Sequence, residues 1–172
     1  MVGAVTGNDV VFTGDAAVDT VTFTVDGTGN LQHNLPVLPA TANAFNSSID
    51  LDSAQAGDQI LLASSITNFT YTDATQGDSV TLNASLLGLV TGNVQAGNIG
   101  GSGSITTTTG LNINSTGAVA GSNTLSGVLG GAGALAKTGA GRLVLSNTNT
   151  LTGNVVLTGG TIAVSADGTG NG

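Results

Sequence analysis

The residues of this 172-residue chain best suited to chemistry are two aspartates and the single histidine. Asp50 and Asp52 stand two positions apart in the stretch IDLD, a spacing that places both carboxylates on one face of a strand. A pair of carboxylates can serve as acid and base in glycoside hydrolysis. His33 has its nearest carboxylates in sequence at Asp26 and Asp50, and a catalytic or metal role would need such partners close by. We interpret His33 as a polar loop residue.

The composition does not favour an enzyme. Sites that hold acidic sugars commonly need cations, and the chain has only Lys137 and Arg142. It has no cysteine to act as a nucleophile or as a thiolate ligand, and no G-x-S-x-G stretch. We therefore predict that the protein is not an enzyme and assign no catalytic residue. Lys137 and Arg142 are expected at the surface near a corner, or paired with a carbonyl group or an aspartate.

Two Asp-Gly turns, VDGTGN at 25–30 and ADGTGNG at 166–172, raise the question of calcium. Oxygen-rich turns suit hard cations, but this spacing fits neither an EF-hand loop nor the glycine-rich nonapeptide repeat. Asp, Gly and Asn are also the ordinary residues of tight turns. No metal and no cofactor are therefore predicted, and calcium binding is left open.

Charge in this chain is sparse and acidic. Ten aspartates, no glutamate and two cationic residues give a net charge of −8, and only 7% of the residues are charged. Phosphate binding needs clustered Lys and Arg, so neither nucleic acid nor an anionic membrane surface is an expected partner. No apolar run is long enough to cross a bilayer, and no direct membrane insertion by this segment is expected.

Side-chain alternation of period two recurs along the chain and predicts half-buried strands. The clearest case is TVTFTV at 20–25, where two valines and a phenylalanine share one face and three threonines the other. Gly, Asn and Thr separate such stretches, and the tripeptide Thr-Gly-Asn alone occurs five times. The absence of glutamate and the scarcity of lysine and arginine argue against helices. The predicted fold class is all-β.

The sequence pattern divides the chain into two parts. Residues 1–97 are a β-rich N-terminal part with a loop excursion at 31–48, where Pro36 and Pro39 each lack a backbone donor. Residues 98–172 are predicted to form solenoid coils that include a repeat described below. One continuous solenoid is the alternative division, and we interpret the chain as an excerpt of a longer protein.

Large apolar residues recur about every twenty positions, as in a solenoid whose coils stack on one another. Each coil of such a stack buries its side chains against the next. The alternative fold is an antiparallel β-sandwich over residues 1–97 joined to a short solenoid. The recurring residues are Val25, Phe45, Ile66, Leu86, Ile105, Leu125, Leu145 and Val164.

Residues 131–164 carry a more specific pattern, GAGALAKTGAGRLVLSNTNTLTGNVVLTGGTIAV. It resembles the autotransporter-associated β-strand repeat of bacterial type V passenger domains. In that family, glycines, a lysine and alternating leucines precede an N-T-Y-T-G stretch and a closing G-T-L-x-V. Leu151 stands where the family usually has an aromatic residue, and Asn147 where it often has glycine. The matching positions are Gly131, Gly133, Leu135, Lys137, Gly139, Gly141, Leu143, Leu145, Asn149, Thr150, Thr152, Gly153, Gly160, Thr161, Ile162 and Val164.

The resemblance implies a right-handed parallel β-helix that a C-terminal barrel exports through the outer membrane. Residues two positions apart point to one face, so Leu143 and Leu145 are expected to stack on Ile162 and Val164 of the next coil. Burying one such side chain contributes roughly 1.5–3 kcal/mol. Interior strands would be hydrogen-bonded on both edges, which leaves only the end coils open.

The resemblance also implies a setting, which is secretion to the cell surface of a Gram-negative bacterium. The expected function is that of a structural segment of the passenger, a stiff stalk or adhesin scaffold. One alternative is a self-assembling subunit of an extracellular fibre, sheath or surface layer, with self-association through the solenoid ends. The other is a module that binds a host surface protein or a glycan.

Overall fold

The computed structural model describes residues 1–37, 44–73, 77–117 and 123–164. These residues form sixteen strands, one short 3-10 helix at Ala63–Ser65 and no α-helix. The first eight strands are β1 (Val2–Thr6), β2 (Asp9–Thr13), β3 (Thr20–Val25), β4 (Leu31–His33), β5 (Asn68–Thr72), β6 (Ser79–Leu82), β7 (Leu86–Ala96) and β8 (Asn98–Gly100). The others are β9 (Ile105–Ser115), β10 (Asn123–Leu125), β11 (Leu129–Gly131), β12 (Ala134–Thr138), β13 (Arg142–Leu145), β14 (Thr150–Leu151), β15 (Val155–Leu157) and β16 (Thr161–Val164).

The fold is an all-β solenoid of about four turns, in which parallel coils of about 20 residues stack on one another, and the predicted fold class is confirmed. The main sheet has the order β1-β2-β5-β7-β9-β11-β14, and β12 joins β9 to β15. Two smaller sheets have the orders β4-β3-β6-β8 and β10-β13-β16. No helix among the described residues is long and apolar enough to span a membrane.

Strand pairing continues from the first coils into the later ones. The pairings of β2 with β5 and of β3 with β6 are parallel, unlike those of the antiparallel sandwich weighed for residues 1–97. β7 ends at Ala96 and pairs with β9, so the main sheet passes the division drawn at residue 97. Only β1 with β2 and β3 with β4 pair antiparallel among the strands described.

Coil length varies between 19 and 24 residues along the main sheet, except where the excursion intervenes. Asn68 lies opposite Thr91, 23 positions later, and Thr91 lies opposite Gly110, 19 positions later. Asp9 lies opposite Asn68, a step of 59 positions, because the segment between β4 and β5 leaves the stack and returns. Part of the predicted excursion at 31–48, including Pro39, lies outside the described residues.

The core is aromatic in the first coils and aliphatic in the later ones. All five aromatic residues of the chain are buried, and the rings of Phe12 and Phe23 meet edge to face at 4.8 Å between centroids. Farther along, Leu143 lies in register with Ile162 and Leu145 with Val164, which confirms the predicted stacking. The five aromatic residues are Phe12, Phe23, Phe45, Phe69 and Tyr71.

The spacing of the twenty-residue series matches the length of the coils, but its members do not all lie in one column of stacked side chains. Its six inner members, from Phe45 to Leu145, are buried, whereas Val25 and Val164 at its ends are exposed. Ile105 stacks on Leu129 in the main sheet, while Leu125 stacks on Leu145 in a smaller sheet. The series therefore changes columns, because the later coils are not all of equal length.

Candidate functional site

Asp50 and Asp52 do not share the face of a strand, so that prediction is wrong. Both are buried in the irregular segment 44–62, where no strand forms. Their carboxylates accept hydrogen bonds from backbone N–H groups. Both side chains therefore help to hold this segment in place. The backbone donors are Asn46, Asp52 and Gln59 for Asp50, and Val5 and Ala54 for Asp52.

The pKa of Asp52 reflects this role. Burial would raise the pKa, but hydrogen bonds from Val5, from the Gln55 side chain and from Ala54 outweigh burial and lower the pKa below its ordinary value. A carboxylate held ionised in this way is a poor general acid near neutral pH. Asp52 is therefore poorly suited to be the acid of a catalytic carboxylate pair.

His33 is a core residue, contrary to its interpretation as a polar loop residue. It lies in β4 and is 3% exposed, with its ring 4.3 Å from that of Phe45 between centroids. Its Nδ1 accepts a hydrogen bond from the backbone N–H of Leu35, so its Nε2 donates to the carbonyl oxygen of Asp50 at 2.6 Å. Both nitrogens have partners only while the ring is neutral. Burial lowers the pKa of His33, although the Asp50 carbonyl and carboxylate partly oppose this.

The first Asp-Gly turn shows ordinary turn chemistry. The carboxylate of Asp26 accepts hydrogen bonds from the backbone N–H groups of Thr28 and Asn30 and from both of their side chains. The Asn30 side chain is the main reason that the pKa of Asp26 lies far below its usual range. A carboxylate so fully occupied by donors has little capacity left for a cation. The second turn, at 166–172, lies outside the described residues.

Lys137 is buried rather than at the surface, and its predicted pairing with a carbonyl group is confirmed. Its Nζ donates to the carbonyl oxygens of Thr138, Gly139 and Gly159, the last two at 3.0 and 3.5 Å. Desolvation lowers the pKa of the amine. Arg142, in contrast, is exposed at the start of β13.

Asp19, Asp73 and Asp78 form an acidic corner beside the buried Tyr71, and no sequence pattern indicated it. Asp78 Oδ1 accepts a hydrogen bond from the Asp19 backbone N–H at 2.9 Å. Burial is the main cause of a raised Tyr71 pKa, and the charges of the three aspartates add to it. No three His, Cys, Asp or Glu side chains within the described ranges are arranged to hold a metal ion. The corner could be found only from the register, which places residues 59 positions apart side by side.

One end of the stack is closed. β1 is an edge strand, but Ser53 bonds to both the N–H and the carbonyl of Gly3, and Asp52 accepts from Val5 N–H. β4 is the edge of its own sheet, and its N–H groups at Leu31 and His33 bond to carbonyls of the segment 44–62. The excursion therefore covers both edges at this end, which we call the closed end (residues 1–37 and 44–62).

The opposite end is the coil of β14, β15 and β16, which we call the terminal coil. Each of these strands pairs on one edge only in the part of the chain that the structure describes. Valine and leucine side chains that continue the core columns are exposed there. The two ends of the stack therefore differ. The strand edges are covered at the closed end, whereas apolar side chains are exposed at the terminal coil.

Polar side chains bond successive coils together between these ends. Asn68 Oδ1 accepts hydrogen bonds from the backbone N–H and the hydroxyl of Thr91, and Asn112 donates to Asn93 at 2.6 Å. Asn149 Oδ1 accepts the N–H of Leu129, one coil earlier, at 2.8 Å. The abundance of Asn, Thr and Ser thus has a structural role, since amides and hydroxyls join neighbouring coils without charge.

Comparisons with protein-family models, with curated proteins and with solved structures found no match to this chain. Its function is therefore inferred from the coil stack, from the contacts inside the stretch 131–164 and from the contrast between the two ends.

Proposed function

We propose that this chain is a structural segment of a secreted autotransporter passenger, displayed on the surface of a Gram-negative bacterium as a stiff stalk or adhesin scaffold. The observation that carries the proposal is the continuous stack of parallel coils with a sealed end. Hydrogen bonds run from coil to coil, so bending the stack would break bonds in the sheets. A sealed end suits the free tip of a rod, because it offers no open strand edge to other proteins.

Contacts inside the repeat-like stretch 131–164 support this proposal. Its leucines are buried core residues, and its lysine satisfies the carbonyls of a corner. Gly131 has a φ of +97°, and a Cβ there would lie 2.2 Å from the carbonyl oxygen of Thr107. The pattern is thus one of coil packing, with each residue type fitted to a position in the stack. The buried leucines are Leu135, Leu143 and Leu145.

The composition suits export in an extended form. The absence of cysteine means that no disulfide can lock a partial fold before export. Low charge and small side chains ease passage through a narrow pore. Coils that fold outside the cell cannot slip back, so their folding helps to draw the chain outward.

Both alternatives lack support from the described residues. A fibre built by stacking one copy head to tail on the next needs two open ends, and one end is sealed. A host-binding module would be favoured by exposed aromatic side chains, which anchor many interfaces. All five aromatic residues of this chain are instead buried in the core.

Surface display tests the proposal. The chain would be placed between a secretion signal and the outer-membrane barrel of a type V protein, and externally added protease would report the fraction displayed. Gly131→Ala should lower display because it destabilises a coil, whereas Gly88→Ala, at an uncrowded glycine, should affect it much less. Equal display of Gly131→Ala and Gly88→Ala would contradict the proposal. So would a chain that stays in the periplasm.

A further inference from the structure

The acidic corner contains buried oxygen atoms that no hydrogen bond satisfies among the residues that the structure describes. Asp78 is completely buried, and its Oδ1 accepts the Asp19 backbone N–H at 2.9 Å, but its Oδ2 has no partner. Asp19 Oδ2 and the hydroxyl of the completely buried Tyr71 are likewise buried without a partner. A buried charge without a partner is costly, so proteins pair such groups or use them to coordinate a cation.

The first two coils bring these oxygen atoms to one corner of the stack. The parallel pairing of β3 with β6 places Asp19, just before β3, beside Asp78, just before β6. The charges of both aspartates and of Asp73 act on Tyr71 in β5. A Cβ at Gly14 would lie 2.1 Å from Asp73 Oδ2, so the absence of a side chain there leaves room for a third buried carboxylate. The corner therefore gathers negative charge inside the fold.

The cationic side chains of the chain do not neutralise this corner. The one lysine and the one arginine both belong to later coils. Lys137 donates to the carbonyl oxygens of Gly139 and Gly159, and Arg142 is exposed at the start of β13. Within the described ranges, neither of the two aspartates that precede β3 and β6 forms an ion pair. The compensating charge must therefore come from a bound cation or from protons.

The available donor atoms favour calcium among the possible cations. Carboxylate and backbone carbonyl oxygens are hard ligands, which suit Ca²⁺ and Mg²⁺ better than zinc or copper. No three His, Cys, Asp or Glu side chains of the described residues are arranged to hold a metal, so the remaining ligands would be carbonyl oxygens and water. Ca²⁺ accepts such mixed and irregular sets, whereas Mg²⁺ demands near-ideal octahedral geometry. A divalent ion also cancels the two charges of Asp19 and Asp78.

We propose that the acidic corner binds one calcium ion, with Asp19 Oδ2 and Asp78 Oδ2 as its carboxylate ligands and Tyr71 beside it. The ion joins the first coil to the second, because Asp19 precedes a strand of one coil and Asp78 precedes the paired strand of the next. Bound calcium therefore stabilises the stack next to the closed end. Because the proposal uses only the coil stack, it does not depend on the secreted role.

Thermal unfolding of the full chain in EDTA and in calcium chloride, at near-neutral pH, tests the proposal. A ligand that binds only the folded chain raises the Tm, by roughly 3–6 °C at about ten times its Kd. The Kd should lie at or below about 1 mM, the weak end of the range for extracellular calcium modules.

Substitution of the ligands separates calcium binding from general stability. Asp78→Asn should raise the calcium Kd tenfold or more, yet its Tm in EDTA should equal or exceed that of the unsubstituted chain, because an uncompensated buried charge is removed. Asp19→Asn, at a less buried position, is a second variant with the same expected loss of affinity. Asp58→Asn removes the same charge from an exposed residue, so it is the matched control and should keep the calcium-dependent rise in Tm.

Terbium luminescence gives an independent readout, because Tyr71 is the only tyrosine and the chain has no tryptophan. Terbium bound at the corner should emit when Tyr71 is excited, and calcium should displace it. Tyr71→Phe should lose the emission and keep the rise in Tm. A Tm that does not change up to about 10 mM calcium, tenfold above the weakest expected Kd, would mean that protons satisfy the corner and overturns the proposal. So does a rise in Tm that survives in both Asp78→Asn and Asp19→Asn, or one that is lost in Asp58→Asn.

Discussion

Lys137 lies in register with Ile113 of the preceding coil, so a lysine occupies a column position that isoleucine fills one coil earlier. Both residues are buried. The lysine amine turns toward the corner and donates to the Gly139 carbonyl of its own coil and to the Gly159 carbonyl of the next. Lys137 therefore joins two coils through their backbone carbonyls.

Replacing this lysine should destabilise the stack. Lys137→Met keeps the apolar stem but removes the amine that donates to the carbonyls of Thr138, Gly139 and Gly159, and we expect a loss of about 1–3 kcal/mol in the free energy of unfolding. Urea denaturation followed by circular dichroism measures the loss. Arg142→Met, at the exposed cation five positions later, should change stability by less than about 0.5 kcal/mol. Equal effects of the two substitutions would contradict the buried role of Lys137.

His33 should make the closed end sensitive to acid. Its folded-state pKa is lowered from 6.5, so the unfolded chain binds the proton more tightly than the folded chain. The stability due to the neutral ring is fully present above pH 6.5 and is lost as the pH falls below that value. We expect a loss of up to about 1.4 kcal/mol per pH unit, measured by urea denaturation between about pH 7 and about pH 5.

His33→Gln isolates this effect, because the chain has no other histidine. The amide cannot titrate, so the stability of the variant should be nearly flat over the same range, at a lower absolute value. Aspartates with lowered pKa values, such as Asp26 and Asp52, lose their contribution only in stronger acid. An acid-induced loss of equal size in His33→Gln would assign the effect to other groups.

The amide of Asn149 should contribute measurably to coil stacking. Asn149→Ala removes the acceptor for the Leu129 N–H and should cost about 1 kcal/mol, the usual net value of such a hydrogen bond. Asn154→Ala serves as the control, because that side chain is exposed in the terminal coil. Thermal unfolding of the two variants compares them directly. An equal loss of stability in Asn154→Ala would show that the loss in Asn149→Ala does not come from the hydrogen bond between coils.

Alanine substitutions at Gly88 and Gly131 distinguish the energetic cost of backbone strain from that of steric clash. Gly88 has a φ of +87° with no heavy atom within 4 Å of an added Cβ, and Gly131 has a φ of +97° with the Thr107 carbonyl oxygen at 2.2 Å. Gly88→Ala should therefore cost about 1–2 kcal/mol from conformation alone. Gly131→Ala should cost clearly more, because two coils must also move apart. Chemical denaturation checks the order, and equal losses would argue against close contact of the coils at Gly131.

Sequence patterns predicted those parts of the coil fold that depend on residues close together in the chain. Alternation placed Leu143 and Leu145 on one face, and glycine-rich corners set coils of about twenty residues, so their stacking on Ile162 and Val164 followed. The N-terminal coil was harder to predict because Asp9 and its partner Asn68 are 59 positions apart. No local pattern indicates a pairing across such an excursion.

The buried polar residues escaped prediction for a related reason. His33 and Lys137 resemble surface residues in sequence, since their burial depends on acceptors supplied from afar. The Asp50 carbonyl that accepts the hydrogen bond from His33 lies 17 positions away, and the Gly159 carbonyl lies 22 positions from Lys137. Only a known register identifies such partners.

The central claim is that, from β2 onward, neighbouring strands of the main sheet belong to successive coils and run in the same direction. Nuclear Overhauser contacts between β5, β7 and β9 in isotope-labelled protein test it most directly. The structure predicts contacts linking Thr70 with Asn93 and Asn93 with Asn112, without the strong Hα–Hα contacts of close antiparallel pairs. Strong Hα–Hα contacts between these strands, or pairing of β5 with strands other than β2 and β7, would contradict the claim.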